Sequence, residues 1–215
     1  MESERINLAA VSSPGEIRLL ASGLGASGIE ELGDIKLTDN VRMNIYQSGN
    51  MFVKCGHFVM SNSSLIAKTN DVKDGGLIDI QTQNFDLNKG SYIRSKTDTY
   101  TKGCTLSINA AHSVILRGNL ESNGQGCTIY NQTEGPGKAG DIEISTKYLT
   151  LKDGAQIGTP SNNKSKGQGG NVDIDATESI ILSGCDQRDG QGSSILSTSY
   201  GKKTDAGNID IQTKN

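Results

Sequence analysis

The chain has no tryptophan, only 4% aromatic residues in 215, and 33% hydrophobic residues overall. That composition argues against a compact globule built on large rings and favours a thin column of aliphatic side chains. No apolar run approaches the ~18 residues that a membrane-spanning helix requires, which argues against membrane insertion. The opening Met1-Glu2-Ser3-Glu4-Arg5 has no hydrophobic stretch behind it that would read as a secretory signal. A net charge of −3 leaves no basic footprint, so nucleic acid is not an expected partner. The four cysteines (Cys55, Cys104, Cys127 and Cys185) have no CxxC spacing, which argues against a zinc site. No Asp-rich calcium loop or GGxGxD nonapeptide is present.

What the chain does have is glycine, 27 residues of it, and a repeat. Gly76-Leu77-Ile78-Asp79-Ile80-Gln81-Thr82-Gln83-Asn84 returns as Gly207-Asn208-Ile209-Asp210-Ile211-Gln212-Thr213-Lys214-Asn215, with related segments at Cys104–Ile108, Gly140–Ile144 and Gly170–Ile174. The first apolar residues, Ile78, Leu106, Ile142, Val172 and Ile209, follow at intervals of 28, 36, 30 and 37. Each complete repeat carries a second alternating pair (Phe85/Leu87, Val114/Leu116, Leu149/Leu151, Ile180/Leu182) and then a glycine (Gly90, Gly118, Gly154, Gly184). A third short apolar segment follows, at Tyr92-Ile93, Leu120, Ala155–Ile157 and Ser194–Leu196.

Alternation of period 2 predicts half-buried strands, and strands this short make a stable sheet only by pairing with copies of themselves. The expected fold is therefore all-β: a right-handed single-stranded parallel β-helix, or solenoid, with three short strands per coil. Glycine suits its corners through positive φ or close approach of successive backbones. The gap between the first and second pairs alternates, from Ile80 to Phe85 and Ile144 to Leu149 in the shorter form and from Ile108 to Val114 and Ile174 to Ile180 in the longer. This suggests two corner types and a double repeat. Residues 75–215 form the regular part, continuous with degenerate coils and loops in residues 1–74. There, Ala21–Glu31 reads as a loop or bulge and Gly28–Leu32 as one helical turn. No polar cap closes either end, so the chain reads as a fragment of a longer protein.

Two outward features could carry function. The third-corner insertions, Arg94–Lys102, Glu121–Lys138, Gly158–Gln168 and Ser197–Asp205, would emerge on one edge and stack into a polar strip. They read either as solvated, variable loops or as a surface for glycans or a protein partner. Asp79, Glu143, Asp173 and Asp210 occupy the outward position of the first strand, interrupted by Ser107, and stacked like charges repel. Calcium between neighbours such as Glu143 and Asp173 would relieve this, with simple solvation as the plainer reading. No cofactor is otherwise expected. His57 near Cys55 could suggest a thiol nucleophile, although no supporting acid is identifiable. His112 reads as structural. The cysteines read as free thiols, with a disulfide between neighbouring coils as the alternative.

The segment Arg5–Ile17 with Gly33-Asp34-Ile35-Lys36-Leu37 resembles the stretch after the secretion domain in filamentous haemagglutinin-like exoproteins of two-partner secretion, the cyanobacterial type in particular. Ala139–Thr146 with Leu149–Ile157, and Gly169–Ala176 with Ser179–Gly184, are similar to the repeats of those proteins. The resemblance implies a β-helical stalk of a secreted or surface adhesin, without catalysis. Its parent would be exported through an outer-membrane transporter partner and would bind host or neighbouring-cell glycans or surface proteins. The secretion domain itself is absent from this chain. The rival class is a β-helical polysaccharide lyase or hydrolase, which needs acids clustered in a groove that the sequence does not reveal.

Overall fold

The computed structural model describes residues 5–70, 73–118, 126–162, 166–200 and 204–214. These residues are all β, with no helix. In chain order the strands are β1 (Arg5–Ala9), β2 (Glu16–Leu20), β3 (Gly23–Ser27), β4 (Asp34–Thr38), β5 (Arg42–Tyr46), β6 (Asn50–Lys54), β7 (His57–Ser61), β8 (Ser64–Thr69), β9 (Leu77–Asn88), β10 (Tyr92–Thr97), β11 (Thr105–Arg117), β12 (Thr128–Thr133), β13 (Ile142–Lys152), β14 (Gln156–Gly158), β15 (Val172–Ser183), β16 (Ser194–Leu196) and β17 (Ile209–Gln212).

Two sheets, parallel throughout, account for all but one pair of these strands. The first runs β1-β6-β9-β11-β13-β15-β17, with β4 and β7 joining through β9, and the second runs β5-β8-β10-β12-β14-β16. Neighbouring strands belong to successive repeats, so equivalent residues meet. Met51, Ile78, Leu106, Ile142, Val172 and Ile209 form one row. Met43, Leu65, Ile93, Ile129, Ile157 and Ile195 form another in the second sheet. The middle members of both rows are fully buried in one aliphatic core. Each such side chain contributes roughly 1.5–3 kcal/mol by leaving water. Phe58 and Phe85 stack within it at 5.8 Å.

The first and second strands of a repeat are not separate. In β9, β11, β13 and β15 they form one continuous strand, and a register shift stands where a corner was expected. The alternating spacing has its cause here. Ala110 pairs with Thr82 and Ser113 with Asn84, so β11 carries one residue more than β9 across the shift, as a β-bulge does. In the shorter repeats an inward threonine sits at the bulge. The Thr82 hydroxyl reaches the carbonyl oxygens of Gly56 and Asn84, each at 2.9 Å, and Thr146 reaches that of Tyr148.

The third strand of the second repeat is β12, with Ile129 opposite Ile93. Leu120, the residue the sequence suggests for that role, lies outside the described residues. The amino-terminal region also differs from expectation. Ala21–Glu31 contains β3, which pairs antiparallel with β2, and Leu32 bridges Val11 instead of closing a helical turn. Glycine hides this hairpin from a pattern search, because Gly23 and Gly25 contribute no side chain to the alternation. The hairpin covers the outer side of β6: Phe52 is buried there, with the Arg5 guanidinium 4.5 Å from its ring centre.

The corner before each first strand depends on close backbone approach. A Cβ on Gly170 would collide with the carbonyl oxygen of Gly140, and one on Gly207 with that of Gly170. After the second segment, Lys89-Gly90 and Asp153-Gly154 turn through paired left-handed residues, with φ of 53° and 71° and of 57° and 78°.

Candidate functional site

Strand register brings the acidic positions into one file. Asp79, Ser107, Glu143, Asp173 and Asp210 are successive partners on the outward side of the first sheet. Beside them run Gln81, Asn109, Ser145, Asp175 and Gln212. From Ser107 to Gln212 the two files line an open groove of about 400 Å³. Glu143 and Asp173 are directly opposite, the placement a bridging cation would need. No group of three or more His, Cys, Asp or Glu side chains converges as a metal cluster among the described residues. Asp79 stands apart from the open part of the file. Burial raises its carboxyl above the ordinary range, opposed by the Gln81 amide, which donates at 2.9 Å, and by the Lys54 charge.

The third-corner segments stack through their backbones. Glu134 N–H donates to Thr97 O, Gly137 to Thr99 O, Gly167 to Gly135 O and Asn162 to Thr133 O. Thr133, Ser161 and Ser199 bridge in parallel beneath them. The Thr133 hydroxyl reaches the Gly137 carbonyl at 2.7 Å, tying loop to strand. Residues 121–125, 163–165 and 201–203 of these insertions lie outside the described residues. Asn131, 1% exposed, donates to the carbonyls of Cys104 and Asp141 and so joins β12 to the start of two repeats.

A second recess lies on the outward side of the second sheet, and all the residues that line it belong to the third-corner insertions that the sequence marks as a polar strip. Arg94 and Tyr130 are register partners on β10 and β12. With Gln132, Asn162 and Tyr200 they border a cleft of about 420 Å³. The Tyr130 hydroxyl donates to Gln156 Oε1, which fixes its ring. Burial pushes this phenol up to about 12, reinforced by Tyr200 and opposed by the Arg94 charge. The Arg94 guanidinium lies 5.2 Å from the centre of the Tyr92 ring. The available sequence signal is the recurrence of tyrosine at outward third-strand positions, Tyr92 and Tyr130.

Cys55 and His57 do not pair. The Cys55 thiol faces the core, 3.6 Å from Thr82 Oγ1, and burial raises its pKa. His57 Nε2 lies 2.7 Å from Asp86 Oδ2, an acid partner that the sequence does not reveal. His112 packs edge-on against Tyr148 at 5.3 Å. All four cysteines are free, Cys55, Cys104 and Cys127 buried and Cys185 exposed. Burial pushes the thiols of Cys104 and Cys127 up to about 12.

The class these observations define is an all-β protein of parallel sheets in which equivalent outward residues of successive repeats form files. No helix of the described residues is long and apolar enough to cross a membrane. No family model matches the chain, and no curated protein or solved structure matches it.

Proposed function

We propose that the parallel sheets are the faces of one right-handed β-helix, and that the chain is a stalk segment of a secreted or surface-exposed adhesin of the filamentous haemagglutinin type. In this reading it displays binding surface without catalysis. Its partners are glycans or surface proteins of a host or neighbouring cell, and its parent is exported through an outer-membrane transporter. The observation that carries the reading is the in-register succession of outward positions across the repeats, from Asp79 to Asp210. A repeating scaffold of this kind multiplies surface rather than assembling one catalytic centre. The stacked third-corner segments add a second repeated edge.

The test is binding of the purified chain to a glycan array and to intact cells, with turnover of polygalacturonate and hyaluronan measured in parallel. Saturable binding without turnover is expected. Turnover of either polymer would overturn the assignment in favour of a polysaccharide lyase or hydrolase.

A further inference from the structure

We infer that the cleft between β10, β12 and the segment at Tyr200 binds a hexuronate residue of an acidic polysaccharide. Arg94 would take the carboxylate, and the rings of Tyr130 and Tyr200 would take the faces of the sugar. The inference deepens the display reading by naming a ligand class, and it rests on that reading.

The chemistry of the walls selects this occupant. A pyranose presents patches of C–H groups that leave water readily against an aromatic face, while its edges carry hydroxyls that need partners. Tyr130 supplies a half-buried ring held by its bond to Gln156. Tyr200, 66% exposed, supplies a second ring. Gln132 and Asn162 also line the cleft. The volume, about 420 Å³, falls within the roughly 300–1,000 Å³ range of small-molecule sites.

Charge sets the second requirement. The chain carries a net charge of −3, yet no carboxylate is among the residues lining this cleft. Glu134, close by in sequence, is engaged by Lys96 at 2.5 Å and by the Gln132 amide. Arg94 has no ion-pair partner among the described residues; it is exposed and lines the cleft, with its guanidinium 5.2 Å from the centre of the Tyr92 ring. A guanidinium matches a carboxylate in two parallel hydrogen bonds, a geometry that a neutral sugar cannot offer. The other groove, lined by Glu143, Asp173, Asp175 and Asp210, would repel the same ligand, so the two faces are predicted to discriminate.

The test is calorimetric titration of the whole chain with tetragalacturonate, a neutral hexose tetramer and a tetraglutamate peptide, using Arg94→Gln, Tyr200→Ala and, as a remote control, Asp173→Asn. Each variant is first checked for an unchanged circular-dichroism spectrum and melting temperature. The expected result is binding of tetragalacturonate at least tenfold tighter than of the neutral tetramer or the peptide. Arg94→Gln and Tyr200→Ala should each weaken it at least fivefold, with Asp173→Asn unchanged. No binding of tetragalacturonate at millimolar concentration, equal binding of either comparison ligand, or indifference to Arg94→Gln would overturn the inference. Adhesion of the same proteins to cells separates the two readings. Cell binding with no uronate binding sinks only the cleft assignment, whereas uronate binding with no cell binding sinks the adhesin reading and leaves the cleft in place.

Discussion

Asp186 Oδ2 accepts a hydrogen bond at 3.0 Å from the backbone N–H of Gly126, 60 residues earlier in the chain. The carboxylate reaches past Gly154, where a Cβ would stand 2.6 Å from the Cβ of Asp186. Arg188 closes the site from outside, with its Nη2 2.9 Å from Oδ2 and its backbone N–H 2.8 Å from Oδ1. One side chain thus ties the turn after β15 to the segment leading into β12.

This contact predicts an acid-sensitive component of stability. The hydrogen bonds from Arg188, then those of the backbone, hold the Asp186 carboxyl at about 2, against an unfolded value of about 3.9. A carboxyl depressed on folding stabilises above its unfolded value, and the contribution is lost as pH falls through the folded value. Asp186→Asn should therefore lower the melting temperature at neutral pH. The gap from the parent chain should narrow as pH falls from about 5 to about 2. A gap independent of pH would contradict the assignment.

The file of acids predicts stabilisation by charge removal. Glu143 and Asp173 are directly opposed, and like charges in that position each cost a few tenths of a kcal/mol. In buffer free of divalent ions, Glu143→Gln should raise stability by about 0.5 kcal/mol, read by chemical denaturation. Calcium that bridges the pair would reverse the sign, so repeating the measurement with millimolar calcium decides whether a cation belongs there.

Asn131 predicts a loss. Its amide serves the carbonyls of Cys104 and Asp141 at 2.9 and 2.6 Å from a fully buried position. Asn131→Ala removes this donor from the Cys104 carbonyl, while that of Asp141 keeps the Leu106 N–H at 3.0 Å, at an expected cost of ~1–3 kcal/mol. A denaturation midpoint unchanged within error would show that the clamp contributes nothing.

The thiols predict a count. Native protein should release one equivalent with a thiol reagent, from exposed Cys185, and four after unfolding, because the other three are buried and burial raises their pKa. Fewer than four after unfolding without reductant would reveal a disulfide.

The first-sheet strands were legible because apolar pairs alternate with polar residues in each of them: Ile78 and Ile80, Leu106 and Ile108, Ile142 and Ile144, Val172 and Ile174. Their fusion across the bulges was not, because Thr82 and Thr146 sit inward yet read as polar turn residues. The third strand of the second repeat was hidden for a similar reason. Its inward residues are Ile129, Asn131 and Thr133, only one of them apolar, which drew attention to Leu120 instead. The acidic file could be read from the strand period alone. The polar strip of third-corner insertions could be read too, but not the cleft within it, since Arg94, Tyr130 and Tyr200 come from three repeats and meet only through register and loop stacking. The His57–Asp86 pair escaped because it is diagonal: the register partner of His57 is Asn84.

The most direct test of the stacked architecture is a set of spin-label distances from Lys54→Cys to Ser145→Cys, Asp175→Cys and Gln212→Cys, with Cys185 replaced by serine. These positions belong to one outward file, in which Gln81 and Asn109 stand between Lys54 and Ser145. The separation should grow by about 4.8 Å at each step along the file, reaching about 24 Å in backbone terms at Gln212. Distances that fail to increase in that order would contradict the in-register stack, and with it the repeated surface on which the adhesin reading depends.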